Sequence, residues 1–273
     1  MTPFVAAGIA GVVAVLATVS VEKLGGRWGG VLATMPTTIV PASFALWTTT
    51  DASTFADAMA VVPAGMGANA AFLFLWGWLP RLTPSLPALV ALTLAGWFTC
   101  AILAVATART VLAAGFSPLI LCVGGGLLLL AVGVVATRHP QRAPAGRHAV
   151  GPLVVLARGV FAAASIFVAL QLGRSAGGVV AGVATVFPAI FLTTMVAVRL
   201  AQGADVQQGA TGPMILGTSC VPIYALTASL CFPNMGPIAG SALAWCVAVG
   251  AGSLPIALWL RRSSAGLTLP EGT

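Results

Sequence analysis

The chain is a series of long apolar runs separated by short polar breaks. Each run is close to the ~20 residues that a helix needs to cross the hydrocarbon core of a bilayer. A helix is also the usual way to satisfy backbone polar groups inside a membrane. The pattern therefore predicts nine transmembrane helices, which we call spans 1 to 9: 3–21, 28–49, 57–79, 86–108, 111–136, 152–172, 175–198, 208–231 and 236–260.

Composition supports the same fold class. Of the 273 residues, 59% are hydrophobic and 6% are charged, with a mean hydropathy of +1.05. Soluble domains carry about 25% charged residues, so a soluble enzyme, a nucleic-acid binder and a disordered chain are excluded. We predict an all-α polytopic membrane protein of the cell membrane, with the lipid bilayer as its surroundings. The five cysteines lie in or beside apolar runs without a CxxC pair, which favours buried hydrophobes over a metal site or a disulfide framework.

Basic residues predict the orientation of the chain. With the N-terminus outside and the C-terminus in the cytoplasm, the outer loops hold only Arg109 and Arg174, together with Asp51 and Asp57. The cytoplasmic breaks then hold nine basic residues, as the positive-inside rule requires: Lys23, Arg27, Arg81, Arg138, Arg142, Arg147, Arg199, Arg261 and Arg262.

An internal repeat organises the spans. A shift of 147 residues aligns the start of span 2 with the start of span 7. The aligned pairs are Gly26 with Gly173, Arg27 with Arg174, Gly30 with Gly177, Thr38 with Thr185, Pro41 with Pro188, Ala42 with Ala189, and Phe44 with Phe191. Equivalent spans are five apart, an odd number, so the second copy must be inverted. The predicted arrangement is 4+1+4: a first repeat (1–108), a linker span and loop (109–151), a second repeat (152–262) and a tail (263–273).

The second repeat resembles a known group of membrane proteins. Its segment Gly177 to Pro188, the Pro222-Ile223-Tyr224 centre of span 8 and the Ala244-Trp245 pair of span 9 carry the likeness. Each repeat is similar to the small four-helix membrane proteins of the GlpM type and the related DUF3147 group, more faintly in the first repeat. The resemblance implies four-helix units that pair antiparallel, here fused in one chain. It implies no activity.

Catalytic chemistry is scarce in the spans. Both histidines, His139 and His148, lie in the long cytoplasmic break, and the acids lie at span ends or in breaks. An enzyme, a metal site and a cofactor are therefore not predicted, and neither is a proton relay through a buried carboxylate.

Arg158 is the one basic residue inside a span. An arginine there is a functional candidate by default because burying its charge is costly, and its five fixed donors suit a carboxylate, phosphate or sulfate. The alternative is that its long side chain reaches back to the cytoplasmic interface.

Prolines interrupt spans 2 and 7 at matching positions. Pro36 and Pro41 lie in mid-span in the first repeat and Pro188 in the second. A proline removes a backbone donor and frees the carbonyl four residues earlier, here that of Thr37 or Ala184. Interrupted helices that face each other across an inverted repeat indicate a transport site, although an ordinary kink explains each one alone.

These features predict a small secondary transporter or facilitator of a small, anionic or polar solute, with its site between spans 2 and 7. The predicted substrate-binding residues are Arg158, Thr34, Thr37, Thr38, Pro41, Asn69, Thr185, Pro188, Ser219 and Tyr224. A passive channel of the same fold and a non-transporting membrane scaffold stay open as alternatives, and so does assembly into a homo-oligomer.

Overall fold

The structure is a computed structural model that describes residues 4–5, 7–9, 11–12, 15–16, 36–83, 85–138 and 152–265. All regular structure in these residues is helical. The helices are α1 (the described residues between 4 and 16), α2 (Ile39–Thr49), α3 (Ala52–Trp78), α4 (Leu86–Ala113), α5 (Pro118–Thr137), α6 (Pro152–Ala176), α7 (Gly178–Thr185), α8 (Ala189–Gln202), α9 (Ala204–Gly217), α10 (Cys220–Ala248) and α11 (Leu254–Ala265). A 3₁₀ turn at Leu79–Arg81 follows α3, and a π-helical turn at Val249–Ser253 joins α10 to α11.

Several helices are long and apolar enough to cross a bilayer, which confirms the polytopic membrane fold. Six candidate spans lie within the described ranges: Ala52–Arg81, Leu86–Ala113, Pro118–Thr137, Val155–Ala176, Gly178–Leu200 and Gln207–Leu260. The helix α2 is a shorter apolar helix.

The last candidate span folds back on itself. Its 54 residues would extend about 80 Å as one straight helix, more than twice the ~30 Å of a hydrocarbon core. At Gly236 the backbone has φ 72° and ψ 171°, and Pro233 and Pro237 lie on either side. Beyond this turn Gly240 packs on the ring of Phe232, and Gly252 packs on Cys220. We call residues 220–235 the first arm of α10 and residues 237–248 its second arm.

Two predicted breaks lie a few residues from the observed ones. The sequence pattern ended span 4 at Arg109 and span 6 at Gly173–Arg174, whereas α4 continues to Ala113 and α6 to Ala176. The chain turns instead near Gly115 and Gly177, whose φ angles are 86° and 87°. Only glycine adopts such angles readily, so glycine marks the turn and arginine marks the approach to the membrane surface.

Helix α3 lies at the centre of the bundle. It packs against α4, α5, α7, α9 and α10, and α10 in turn packs against α2 and α5. Helix α5 contacts both of these central helices, since its Gly125 lies on Pro63 of α3 and its Gly126 on Pro222 of α10. The predicted linker helix therefore contacts one central helix from each half of the chain.

Glycines bring α7 into direct backbone contact with α3. Gly178 lies on the carbonyl of Thr54 and Gly182 on the carbonyl of Ala58, one helical turn further. From the other side Gly65 lies on Val186. This is the small-xxx-small packing by which helices approach closely in membranes.

A polar cap begins α3 at one end of the bundle. The Asp51 carboxylate accepts hydrogen bonds from the Ser53 hydroxyl and from the amide and hydroxyl of Thr54. These bonds hold the pKa of Asp51 well below its usual range. We call this the Asp51 end and the opposite one the Trp76 end.

Candidate functional site

The break between α7 and α8 is the interruption predicted at Pro188. It is closed locally, because the Phe187 amide donates to the Ala184 carbonyl at 3.2 Å and the Val186 amide to the Val183 carbonyl at 3.3 Å. The carbonyl predicted to be free, that of Ala184, is thus engaged. The Val186 carbonyl instead accepts a hydrogen bond from another helix.

That bond belongs to the asparagine cluster, which consists of Asn69 of α3, Trp97 of α4 and the Val186 carbonyl. Asn69 Nδ2 donates to the Val186 carbonyl at 2.8 Å, and Asn69 Oδ1 accepts from Trp97 Nε1 at 2.8 Å. Both side chains are buried. The amide therefore bridges α4 and the interrupted helix, with donor and acceptor both engaged.

A second polar group, the tyrosine cluster, consists of Tyr224, Ser43 and Ser241. The hydroxyls of Tyr224 and Ser43 are 2.7 Å apart, and the Ser43 hydroxyl donates to the Val40 carbonyl at 3.0 Å. Since Ser43 has a single hydroxyl proton, Tyr224 is the donor between them. The buried Ser241 hydroxyl faces the Tyr224 hydroxyl without completing a hydrogen bond of ordinary geometry. The Tyr224–Ser43 bond therefore joins the first arm of α10 to α2, and Ser241 places the second arm beside it.

The two clusters lie at different depths. Helix α3 runs antiparallel to α9 and α10, because Phe55 stacks on Phe232 with ring centroids 5.0 Å apart near the Asp51 end and Gln207 Nε2 donates to the Trp76 carbonyl at 2.9 Å near the other. Asn69 is two-thirds of the way from Phe55 to Trp76, and Tyr224 one-third of the way from Phe232 to Gln207. At 1.5 Å of rise per residue the clusters are roughly 10 Å apart along the bundle.

Ser219 lies at the intermediate level. It occupies the junction of α9 and α10, where the Thr218 amide donates to the carbonyls of Met214 and Ile215 and the Thr218 carbonyl accepts from the Val221 amide. Among the described residues, no hydrogen-bond partner meets the buried Ser219 hydroxyl. A buried polar group without a partner is costly, and the Ser219 hydroxyl shares this state with Trp76 Nε1 and the Ser241 hydroxyl.

The other predicted site residues are spread around the α7–α8 break and the start of α2. Thr37 and Thr38 precede α2 and are half-buried, Pro41 is buried in α2, and Pro188 caps α8. The buried Thr185 hydroxyl donates to the Gly182 carbonyl of its own helix at 2.7 Å. Thr34 lies outside the described residues, and so does the side chain of Arg158, whose backbone belongs to α6.

Sequence reasoning missed three members of the clusters: Ser43, Trp97 and Ser241. Ser43 lies within the repeat match around Pro41, and that was its available signal. It is otherwise indistinguishable from Thr49 and Thr50, whose hydroxyls bond carbonyls of their own helix.

A third buried polar contact joins helices at the Trp76 end of the bundle. Gln207 is fully buried, and besides its bond to the Trp76 carbonyl its Oε1 accepts from Arg199 Nη1 at 3.4 Å. This contact joins α3, α8 and α9. It lies beyond the asparagine cluster, away from the predicted site.

Two cavities lie beside the buried polar clusters, and Trp97 of the asparagine cluster lines the larger one. The larger, about 500 Å³, lies between α4, α6 and α7, and the smaller, about 310 Å³, between α3, α4 and α5. Neither is lined by Asn69, Ser219 or Tyr224. In this conformation the polar groups of the core bond mainly to one another.

Comparison of the chain with models of protein families, with curated proteins and with solved structures gives no match. The likeness to the GlpM type therefore stays a prediction. Within the described ranges, no group of three or more His, Cys, Asp or Glu side chains could hold a metal ion.

Proposed function

We propose that this protein is a small secondary transporter or facilitator that moves a small polar or anionic solute between the halves of a nine-span, 4+1+4 inverted repeat. The observation that carries the proposal is the crossed placement of the asparagine and tyrosine clusters. The asparagine cluster joins the third and fourth spans of the first repeat to the second span of the second repeat. The tyrosine cluster joins the third span of the second repeat to the second span of the first repeat, and Ser241 of the fourth span faces it.

The nine proposed spans are assigned to the described helices in the following way. Helices α1 to α6 correspond to spans 1 to 6 in order. The described parts of α1 and α2 cover only part of spans 1 and 2. Helices α7 and α8 form the seventh span around the Pro188 break. Helix α9 with the first arm of α10 forms the eighth, and the second arm of α10 with α11 forms the ninth.

The crossed clusters resemble a pair of gates. The tyrosine cluster closes the Asp51 side of the bundle and the asparagine cluster closes the Trp76 side. Alternating access needs one repeat to rock against the other around a fixed site. Here each rocking motion would break one cluster and keep the other, so the two sides would not open together.

The solute site lies between the gates in this proposal. Ser219 offers an unsatisfied hydroxyl at the intermediate level, and the α7–α8 break offers backbone groups that leave the regular helix pattern. Arg158 is proposed to orient an anionic group, on the sequence argument alone. A polar solute would compensate for the cluster bonds that its entry breaks.

Solute flux into proteoliposomes tests the proposal. Vesicles with the purified protein and the potassium ionophore valinomycin, which lets potassium follow each anion, are shrunk osmotically in potassium acetate, citrate, phosphate, sulfate or glycerol. Reswelling is followed by light scattering. We expect at least one solute to enter faster than in protein-free vesicles, with a rate that saturates. A rate that rises linearly with concentration would contradict a transporter and support a channel. If no solute enters faster than in protein-free vesicles, the protein is a scaffold that does not transport.

Substituting Arg158 tests the predicted anion contact. Arg158→Ala is expected to lower the saturable anion flux about tenfold, the loss of roughly 1.4 kcal/mol of binding free energy, while glycerol flux stays unchanged. The measurement is the same reswelling assay with each variant at matched protein content.

Arg262→Ala is the matched control, since Arg262 is exposed near the C-terminal end of α11. It should keep the wild-type anion rate. Equal anion rates in Arg158→Ala and the wild type would reduce Arg158 to an interfacial anchor.

A further inference from the structure

The larger cavity is an apolar groove on the side of the bundle. It runs between α4, α6 and α7 and includes Trp97, Ile102, Phe161, Val168, Val180 and Phe187. Its volume of about 500 Å³ falls within the ~300–1,000 Å³ of small-molecule sites. Ser165 is its one hydroxyl-bearing lining residue, and that hydroxyl donates to the Phe161 carbonyl at 2.6 Å. The groove therefore offers contact to hydrocarbon and no free polar group.

The groove spans one leaflet of the bilayer in depth. Trp97 and Phe187 close its inner end, where their rings meet edge to face with centroids 5.2 Å apart. From Trp97 to Arg109 the helix α4 rises about 18 Å, compared with ~15 Å for half of a hydrocarbon core. Phe98, Ile102 and Val168 are each more than half exposed, so the groove opens sideways into lipid.

A cation lies at the open end of the groove. Arg109 lies on the same face of α4 as Ile102 and Val105. It is two helical turns after Ile102 and one turn after Val105. One of its guanidinium nitrogens, Nη2, donates to the Ala176 carbonyl at 3.1 Å and so bridges α4 and α6 across the groove. The Arg109 side chain is exposed, and a guanidinium has further donors that can bond a phosphate.

The acids of this end do not face the groove. Asp57 lies on α3 with its Cβ against Gly178, and Gly178 and Gly182 form the face of α7 that packs on α3. Val180, Ala184 and Phe187 form the groove face of the same segment. Asp51 is bonded to Ser53 and Thr54 at the start of α3.

We propose that this groove binds one acyl chain of an anionic phospholipid, with the lipid phosphate at Arg109 and the chain end at Trp97 and Phe187. The lipid would lie against the α7–α8 break and support it from the membrane side. This site is separate from the solute site proposed above and does not depend on transport.

Lipid-dependent melting of the detergent-purified protein tests this site. Dioleoylphosphatidylglycerol should raise the melting temperature by about 5 °C, since a ligand that binds only the folded state stabilises it. Dioleoylphosphatidylcholine, with the same chains and no net charge, should give less than half of that shift. Glycerol 3-phosphate, the headgroup phosphate without a chain, should give none.

Two variants locate the effect. Ala164 is exposed and lines the groove, so Ala164→Phe should fill it and abolish the phosphatidylglycerol shift. Arg109→Gln should reduce that shift to the phosphatidylcholine value. The control for Ala164→Phe is Ala131→Phe on the exposed surface of α5. The control for Arg109→Gln is Arg174→Gln at the end of α6, which is ~200° of helix rotation beyond Leu172 and so faces away from the groove. Both should keep the full shift.

Several results would overturn the site. These are equal shifts from the two phospholipids, an equal shift from glycerol 3-phosphate, or a full shift in Ala164→Phe. If Ala164→Phe does not fold, the comparison of ligands on the wild type and the Arg109→Gln variant still decides. None of these measurements uses flux, so a lipid result is independent of whether the protein transports a solute.

Discussion

The substitution Gly182→Leu should lower the melting temperature of the purified protein by about 15 °C. A Cβ atom at Gly182 would overlap the Ala58 carbonyl oxygen and lie 2.5 Å from Cγ1 of Val61. The carbonyl is backbone and cannot rotate away, so α7 must separate from α3 and lose the packing along this contact. A cost of about 5 kcal/mol, at the upper end for one substitution, corresponds to roughly 3 °C per kcal/mol. Thermal unfolding in detergent, followed by tryptophan fluorescence, measures it.

Gly124→Leu is the control for the change of residue type. Gly124 lies in α5 with no atom near the position of an added Cβ, and leucine favours the helix over glycine by roughly 1 kcal/mol. Its melting temperature should be unchanged or slightly raised. Gly182→Ala should fall between the wild type and Gly182→Leu. If Gly182→Leu melts with the wild type, the backbone contact between α3 and α7 is wrong.

Local chemistry made part of this fold predictable. The apolar runs specify membrane helices because every backbone group must be satisfied within lipid. Pro188 specifies a break because it has no amide to donate. The polytopic fold and the interruption of span 7 could therefore be inferred from the sequence, and both are found in the structure.

Other features depend on contacts that the sequence pattern does not contain. Asn69 was predicted to bind substrate, but its partner is the backbone of Val186, 117 positions later. Ser43 pairs with Tyr224, 181 positions later. Gly182 lies in the segment that carries the family resemblance, which gives no indication of the carbonyl that it meets. Such pairings are set by how the two halves of the chain meet, and neither half specifies them alone.

Among substitutions of the buried polar residues, Asn69→Leu is expected to lower the free energy of unfolding most. The two side chains are similar in size, so the change removes the amide with little loss of volume. It leaves Trp97 Nε1 and the Val186 carbonyl buried without partners. Each orphaned group costs about 1–3 kcal/mol, so we expect a loss of about 2–4 kcal/mol in the free energy of unfolding, measured by thermal melting.

Tyr224→Phe is the informative comparison, because Ser43, the hydrogen-bond partner of Tyr224, also bonds the Val40 carbonyl. After that change the Ser43 hydroxyl still donates to the Val40 carbonyl, so the expected loss is about 0.5–1.5 kcal/mol, the value of one ordinary hydrogen bond. If the two substitutions cost the same, the asparagine is not bridging two otherwise unsatisfied groups.

A double substitution separates the bridge from simple packing. In Asn69→Leu with Trp97→Phe the indole donor is gone as well, so one of the two orphaned groups disappears. The double variant should be more stable than the sum of the two single effects, by a coupling of at least about 1 kcal/mol. Strict additivity would mean that Asn69 and Trp97 act independently, and the asparagine cluster could then not work as a single gate.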